Sequence, residues 1–206
     1  MWMEAGPLSD RFPLLRPDSL DPEQRSLYKD ITAPPRANGP FRILHDDGTL
    51  AGPFNALLHA PAIGNAVQQL GAALRFRGTL QDRTRELAIC AVAAALDAEY
   101  EWYAHSRVAR NVGVTDAELD QVRSGAVPPS ATECESAALL LTRELIAEAG
   151  VSGRIYAQAL EQLGHQGITE LTVLVGYYRT LAGLLAVADV AVPAEPSALS
   201  SGTTER

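Results

Sequence analysis

Glu101 and His105 are the residues whose types and spacing are best suited to acid/base chemistry. They lie four positions apart in a segment that reads as helix, so their side chains share one face and can pair. A carboxylate that accepts a hydrogen bond from one imidazole nitrogen fixes the tautomer and makes the ring more basic. The other nitrogen can then transfer a proton. The pair therefore predicts a general acid/base centre.

A third titratable group, Glu86, opens the preceding helix, which is apolar almost all round. A break near Asp97 would let the two helices pack antiparallel and bring Glu86 back toward Glu101 and His105. The same residues also fit a simpler interpretation. A Glu–His pair on an exposed helix face contributes only about 0.3–0.5 kcal/mol, and the helix dipole by itself favours an acid in a first turn.

These residues must be positioned by helices, because no segment shows sustained strand alternation and capping residues and glycines punctuate the chain. We expect an all-α fold, with residues 1–19 an irregular arm, 20–190 a single helical domain, and 191–206 a flexible tail. A Pro- and Gly-rich loop covers 32–53, and its length and apolar residues suggest that it packs onto the domain. Helices are expected over residues 21–31, 61–76, 79–96, 99–112, 115–124, 130–148, 152–163 and 169–187.

Composition excludes several classes of protein. The 206 residues are 47% apolar and carry a formal charge of −8, which argues against nucleic acid or an anionic membrane as the main partner. Two cysteines, Cys90 and Cys134, do not make a disulfide framework. The chain shows no secretory signal pattern, and no run approaches the roughly 18 to 20 apolar residues that a membrane span requires. We therefore expect a cytoplasmic protein that does not engage a membrane.

Five segments together resemble a known family. They are 52–59 (GPFNALLH), 74–77 (LRFR), 85–89 (RELAI), 98–105 (AEYEWYAH) and 109–113 (ARNVG). In this order and at these distances they are similar to the carboxymuconolactone decarboxylase family of the alkylhydroperoxidase D-like superfamily. The resemblance covers about residues 20–190. It implies an alkylhydroperoxidase D-like helical bundle that assembles as a homotrimer or homohexamer, with sites near subunit boundaries.

The resemblance also indicates which chemistry the chain has lost. In the peroxidase branch a glutamate, a Cys-x-x-Cys pair and a histidine form a proton relay. Glu86 matches the glutamate and His105 the histidine, but the cysteine positions fall on Ala98 and Glu101. Cys90 is expected in a buried helix without a cation, where a thiol is inert. Thiol peroxidase activity is therefore not expected.

What the resemblance leaves is the cofactor-free lyase chemistry of the decarboxylase branch. There the substrate is a carboxylated butenolide, and loss of carbon dioxide leaves a dienolate that must be protonated at carbon. His105, oriented by Glu101, is the expected proton donor, with Glu86 as relay partner or second acid. Arginine suits an oxyanion or carboxylate. The expected substrate-binding residues are Arg75, Arg77, Arg85, His59 and Tyr178. Neither a cofactor nor a metal site is expected.

Two alternatives stay open at this point. One is a specialised-metabolism cyclase, isomerase or decarboxylase on the same scaffold, since a fold does not fix a reaction. The other is a non-catalytic helical oligomer that binds a ligand. The discriminating feature is whether Glu86, Glu101 and His105 share one sheltered site or His105 lies on open surface.

Overall fold

A computed structural model describes residues 11–34, 36, 43–147 and 150–193. Within these ranges the chain forms eight α-helices and no β-strand, with one isolated antiparallel bridge between Leu44 and Leu50. The all-α prediction is confirmed. The helices are α1 (Pro22–Thr32), α2 (Pro53–Leu58), α3 (Pro61–Phe76), α4 (Asp82–Ala95), α5 (Glu99–Asn111), α6 (Asp116–Arg123), α7 (Glu133–Ile146) and α8 (Gly153–Ala188).

Capping boxes start three of these helices. Asp21, Thr115 and Thr132 each accept a hydrogen bond from the backbone three residues on, and the side chain at that position reaches back. The predicted helix over 130–148 begins too early, because the capping box of Thr132 sets the start of α7 at Glu133. The predicted helix over 79–96 also begins too early, since α4 starts at Asp82.

The central helix is α4, which is buried from Thr84 to Ala93 and packs against α5, α6, α7 and α8. A three-residue connection joins it to α5. Asp97 in this connection adopts the left-handed conformation (φ 49°), which aspartate tolerates better than most residues. The chain reverses there, so α5 returns along α4 and the polar positions of the two helices face each other.

The last helix, α8, contains a break at Gly164 (φ 64°, ψ 178°). Such a conformation is accessible essentially only to glycine. The predicted end of a helix at this glycine is confirmed. The following helical segment begins at once, however, where the sequence pattern predicted a start near Thr169.

By length and composition α8 could cross a membrane, with an 18-residue window of mean hydropathy 1.5. The expectation that no such run exists was therefore wrong for this helix. Nevertheless, Leu171, Leu174 and Leu181 of α8 are buried in the main hydrophobic core of the bundle. Part of α8 thus serves as a core helix.

The segments outside the helices pack onto the domain where they are described. Asn55 of α2 accepts a hydrogen bond from the backbone of Leu15 (2.9 Å) and donates to the carbonyl of Pro13 (3.1 Å). In the 32–53 loop, Ile43 and Leu50 are buried. Residues 1–10 and 194–206, which hold half of the predicted arm and most of the predicted tail, lie outside the described residues, so those domain boundaries stay predictions.

Candidate active site

His105 and Glu86 form the shortest polar contact of the candidate site. Nδ1 of His105 lies 2.8 Å from Oε2 of Glu86, which is within hydrogen-bond distance. Glu86 is on the second turn of α4 and His105 is midway along α5, so the reversal at Asp97 is what brings them together. The sequence predicted this convergence.

Glu101 occupies the other side of the imidazole. Its Oε2 lies 3.6 Å from Nε2 of His105, longer than a hydrogen bond. We expected Glu101, four residues before His105, to orient the ring. In the structure Glu86 makes that contact instead. The packing of α4 on α5 places the Glu86 carboxylate 2.8 Å from the ring, whereas the Glu101 carboxylate of α5 lies 3.6 Å from it. His105 therefore lies between two carboxyl groups.

All three side chains are buried, with exposed fractions of 0% for Glu86, 4% for Glu101 and 3% for His105. This excludes the alternative of an exposed surface pair. An unpaired charge would be strongly unfavourable here, so the protonation states of the three groups must be adjusted to one another.

The two glutamates differ in the direction of their pKa shifts. Burial alone would raise the pKa of Glu86, but the charge and hydrogen bond of His105, with smaller contributions from Arg75 and Arg85, hold it below its ordinary value. For Glu101, burial outweighs the attraction of His105 and Arg75 and raises the pKa. Carboxyl groups whose pKa values are pushed apart in this way are typical of acid/base sites.

Two tyrosines of α8 cover the imidazole. The ring of Tyr178 packs edge-on against His105, with centroids 4.9 Å apart, and Tyr177 packs edge-on against Tyr178 at 5.2 Å. Burial raises the pKa of both phenols, that of Tyr177 to about 12. Both therefore remain neutral hydrogen-bonding groups. The sequence predicted Tyr178 at the site.

Gly71 of α3 is what lets Tyr177 approach. A Cβ at this position would lie 2.1 Å from the Tyr177 hydroxyl oxygen, far inside van der Waals contact. The glycine therefore allows the phenol to rest on the backbone of α3.

The three arginines predicted to bind substrate have different positions. Arg75 on α3 is partly buried and close enough to lower the pKa of both Glu86 and Glu101. Arg85 is buried and is already paired with two carboxylates of α4, since its Nη1 lies 2.9 Å from Asp82 and its Nε 3.4 Å from Oε1 of Glu86. Arg77 is exposed at the end of α3. Of these three, Arg75 is the one whose position suits an anionic ligand best.

His59 does not join the cluster. It is exposed, its Nε2 lies 3.0 Å from the carbonyl oxygen of Pro13, and its ring packs edge-on against Phe12. These contacts tie the N-terminal segment to the end of α2. The structure therefore assigns His59 a packing contact with residues 12–13.

Sequence reasoning missed Arg36 and Gln68. Arg36 lies in the 32–53 loop and is 6% exposed, while Gln68 of α3 is 8% exposed. Gln68 could have been found from its spacing, because it lies on the same face of α3 as Gly71 and Arg75. Arg36 follows two prolines in an irregular loop, so no periodic signal marks it.

The cysteines do not offer a redox pair at the site. Cys90 is fully buried in α4. Burial raises the pKa of its thiol and so disfavours the reactive thiolate form. Cys134, at the start of α7, is partly buried. Within the described ranges, no three His, Cys, Asp or Glu side chains are arranged to hold a metal ion.

Comparison with known proteins agrees with this architecture. Residues 61–144 match the model of the Carboxymuconolactone decarboxylase family, a range that contains Glu86, Glu101 and His105. No curated protein sequence matches significantly.

Solved structures share the fold at low sequence identity. An uncharacterized peroxidase-related protein from Ralstonia eutropha JMP134, described as an alkylhydroperoxidase AhpD core, superposes with a TM-score of 0.74 and 18% identity over 93% of this chain and 95% of its own. The debrominase Bmp8 gives a TM-score of 0.69 and 14% identity over 92% and 94%. A protein of unknown function from Agrobacterium tumefaciens, a suggested antioxidant defence protein, gives 0.63 and 20% over 68% and 97%.

Proposed function

We propose that the chain is a cofactor-independent acid/base enzyme acting on a small anionic substrate, since residues 61–144 match the Carboxymuconolactone decarboxylase family model and the fold is similar to an alkylhydroperoxidase AhpD core. The favoured reaction is decarboxylation of a carboxylated butenolide, as in 4-carboxymuconolactone decarboxylase. The observation that carries the proposal is the buried imidazole of His105, placed between a carboxyl group of lowered pKa and one of raised pKa.

The hydrogen bond to Glu86 determines what each nitrogen of His105 can do. An ionised carboxylate only accepts hydrogen bonds, so Nδ1 must carry the proton that Glu86 receives. Nε2, on the side of Glu101, is then the nitrogen that exchanges a proton with substrate. When Nε2 is also protonated, the carboxylate of Glu86 stabilises the imidazolium.

In the proposed reaction, the bond between the substrate ring and its carboxylate breaks and carbon dioxide leaves. The bonding electron pair moves into the lactone as a dienolate. Nε2 of His105 donates its proton to the dienolate carbon. Glu101, whose pKa is raised by burial, can return a proton to the ring, and solvent replaces that proton on Glu101 before the next turnover. Arg75 supplies positive charge near the developing oxyanion. A positioned acid of this kind contributes about 10²- to 10⁴-fold to the rate.

The same residues could move a proton from one carbon to another, so isomerisation or cyclisation of another anionic substrate is the second candidate. The burial of His105 favours an enzyme over a non-catalytic ligand-binding protein, because a ligand-binding role does not require carboxyl groups with opposite pKa shifts. The raised thiol pKa of Cys90 argues against thiol peroxidase activity.

A homo-oligomer, as a trimer or hexamer, is part of the proposal. Large apolar side chains are exposed on one face of α3, at Ile63 (67%) and Leu70 (40%), at the end of that helix, at Phe76 (43%), and on α8, at Val173 (39%) and Val187 (59%). Apolar faces of this kind are typical of subunit contacts. Light scattering of the purified protein should give a mass of three or six chains, and a monomer would contradict this part.

The test is turnover of a panel of carboxylated lactones by wild type and His105→Gln. Release of carbon dioxide and loss of lactone absorbance should fall by about 100-fold or more in the variant, with an unchanged circular dichroism spectrum. His165→Gln, an exposed histidine of α8, is the matched control and should keep full activity. Unchanged turnover in His105→Gln would remove this residue from the mechanism. A wild type that turns over none of the lactones would refute the decarboxylase proposal.

A further inference from the structure

Arg36 is a buried cation in the 32–53 loop. Its side chain packs over the ring of Phe54, with the guanidinium carbon 5.0 Å from the ring centroid. Nη2 donates to the backbone carbonyl and to the side-chain oxygen of Gln68, at 3.3 and 3.4 Å. These long hydrogen bonds to neutral acceptors are its polar contacts within the described residues.

The positive charge of Arg36 is not balanced by a carboxylate. Among the residues that the structure describes, no Asp or Glu forms an ion pair with it, although it is only 6% exposed. A buried charge is strongly unfavourable unless it is paired. Burial lowers its pKa, and the neighbouring Arg75 adds to this effect. Arg36 is therefore a buried cation whose charge the carboxylate of a ligand would neutralise.

Arg36 belongs to the same cluster as the candidate acid/base residues. Its charge influences Tyr177, and the charge of Arg75 influences both Tyr177 and Tyr178. Tyr178 in turn contacts the ring of His105. The charged and polar groups that influence Arg36 are Tyr177, Arg75 and Tyr178, whereas Arg75 also acts on Glu86 and Glu101. Arg36 therefore lies beside the tyrosines that cover His105, and neither of its hydrogen bonds is to Glu86, Glu101 or His105.

This placement suits a carboxylate that keeps its charge during the reaction. An arginine bound to a departing carboxylate would stabilise the ground state more than the transition state, in which that charge moves into the ring. An arginine bound to a second, unreactive carboxylate holds the substrate equally well throughout. The planar guanidinium fork also matches a carboxylate in geometry.

We propose that Arg36 binds a non-reacting carboxylate of the substrate and makes the site selective for a substrate that carries one. This inference deepens the proposed function and rests on its anionic substrate. Arg36 is a specificity residue, since it holds the end of the substrate remote from His105. The inference adds Arg36 to the binding site, together with Arg75 of α3.

The experiment measures binding without turnover, by calorimetry, with 2-furylacetate and its neutral analogue 2-furylacetamide as probes. Wild type should bind the acid about 10- to 100-fold more tightly than the amide, the range expected for a charge-assisted pair. Arg36→Gln should bind both equally, and Arg36→Lys should recover part of the preference. Arg154→Gln, an exposed arginine at the start of α8, is the charge-matched control and should bind like wild type.

Thermal unfolding of the ligand-free variants separates binding from a structural role. Removal of an unbalanced buried cation should leave the melting temperature of Arg36→Gln unchanged or higher. A lower melting temperature with the acid preference intact would assign Arg36 to structure and overturn the inference. Equal binding of acid and amide by wild type, or no binding of either, would overturn it too.

The outcomes also distinguish this inference from the proposed function. If wild type shows an acid preference that depends on Arg36 but turns over no lactone, the anion site stands and the decarboxylase proposal fails. If a carboxylated lactone is turned over with a KM that Arg36→Gln does not change, the enzyme proposal stands and the role of Arg36 fails.

Discussion

Replacing Glu86 and Glu101 one at a time by glutamine should have opposite effects on the pH dependence of stability. The two carboxyl groups flank the same imidazole and are similarly buried, so each substitution removes one ionisable group and little volume. Glu86 has a pKa below its ordinary 4.5, whereas the pKa of Glu101 lies above it. The charged form is thus favoured in the fold at Glu86 and disfavoured at Glu101.

The sign for each residue follows from linkage. The ionised form of Glu86 stabilises the fold above about pH 4.5, and this contribution is lost as the pH falls through the lowered pKa. For Glu101 the protonated form is favoured in the fold, so the stabilisation is present below about pH 4.5 and is lost as the pH rises through the raised pKa. Glutamine at either position removes the corresponding slope.

The magnitude for Glu86 follows from its 2.8 Å contact with His105. A hydrogen bond to a charged group contributes about 1.5–3 kcal/mol, so Glu86→Gln should lower the free energy of unfolding by about that amount at pH 7. The loss should stay constant down to about pH 4.5 and shrink as the pH falls further. Glu101→Gln should be nearly as stable as wild type at pH 4.5 and more stable at pH 9, because it cannot bury a charge.

Urea denaturation monitored by circular dichroism measures the free energy of unfolding of both variants at pH 3, 4.5, 7 and 9. A loss of about 2 kcal/mol should move the urea midpoint by roughly 1 M. Glu161→Gln, on the surface of α8, controls for the loss of one carboxyl group and should leave the slopes unchanged. If Glu101→Gln were as destabilised at pH 9 as Glu86→Gln is at pH 7, the assignment of opposite protonation states would be refuted.

Three further predictions concern the scaffold. Hydrogen bonds from Ser130 and from the backbone of Thr115, with the contact to Arg83, lower the pKa of Glu118 to about 2, so Glu118→Gln should lose up to about 3 kcal/mol at pH 7. The difference should shrink as the pH falls from 4.5 toward 2, and a constant difference would contradict it. Gly164→Ala should cost about 1–3 kcal/mol in thermal unfolding because of its backbone conformation, whereas Gly153→Ala, at a helix start with open space around it, should not. A thiol reagent should modify Cys90 only after unfolding, and fast modification of the native protein would contradict its burial.

The limits of sequence reasoning appear most clearly where contacts join distant segments. Arg83 contacts Glu118 of α6, Glu135 of α7 and the carbonyl oxygen of Gly113. Along the chain, Glu118 and Glu135 lie in the capping boxes of Thr115 and Thr132, which give no sign of a contact with Arg83. Glu170 of α8 is a second case, because its carboxylate accepts hydrogen bonds from the backbone of residues 79 and 80. Nothing near these residues in the chain indicates such partners.

What the amino-acid sequence determined by itself is local. Capping residues, prolines and glycines act within about four positions, so the helices, the break at Gly164 and the shared face of Glu101 and His105 could be read directly. Glu86 could be assigned to the same site because the short connection at Asp97 makes α4 and α5 pack antiparallel.

The tertiary structure alone decided which carboxyl group binds His105, and it placed Arg36 beside the tyrosines of α8. Both outcomes depend on distances of a few tenths of an ångström to a few ångströms between side chains on different elements. Such distances are set by the packing of the whole core, to which every buried residue contributes, and no periodic pattern in the chain encodes them.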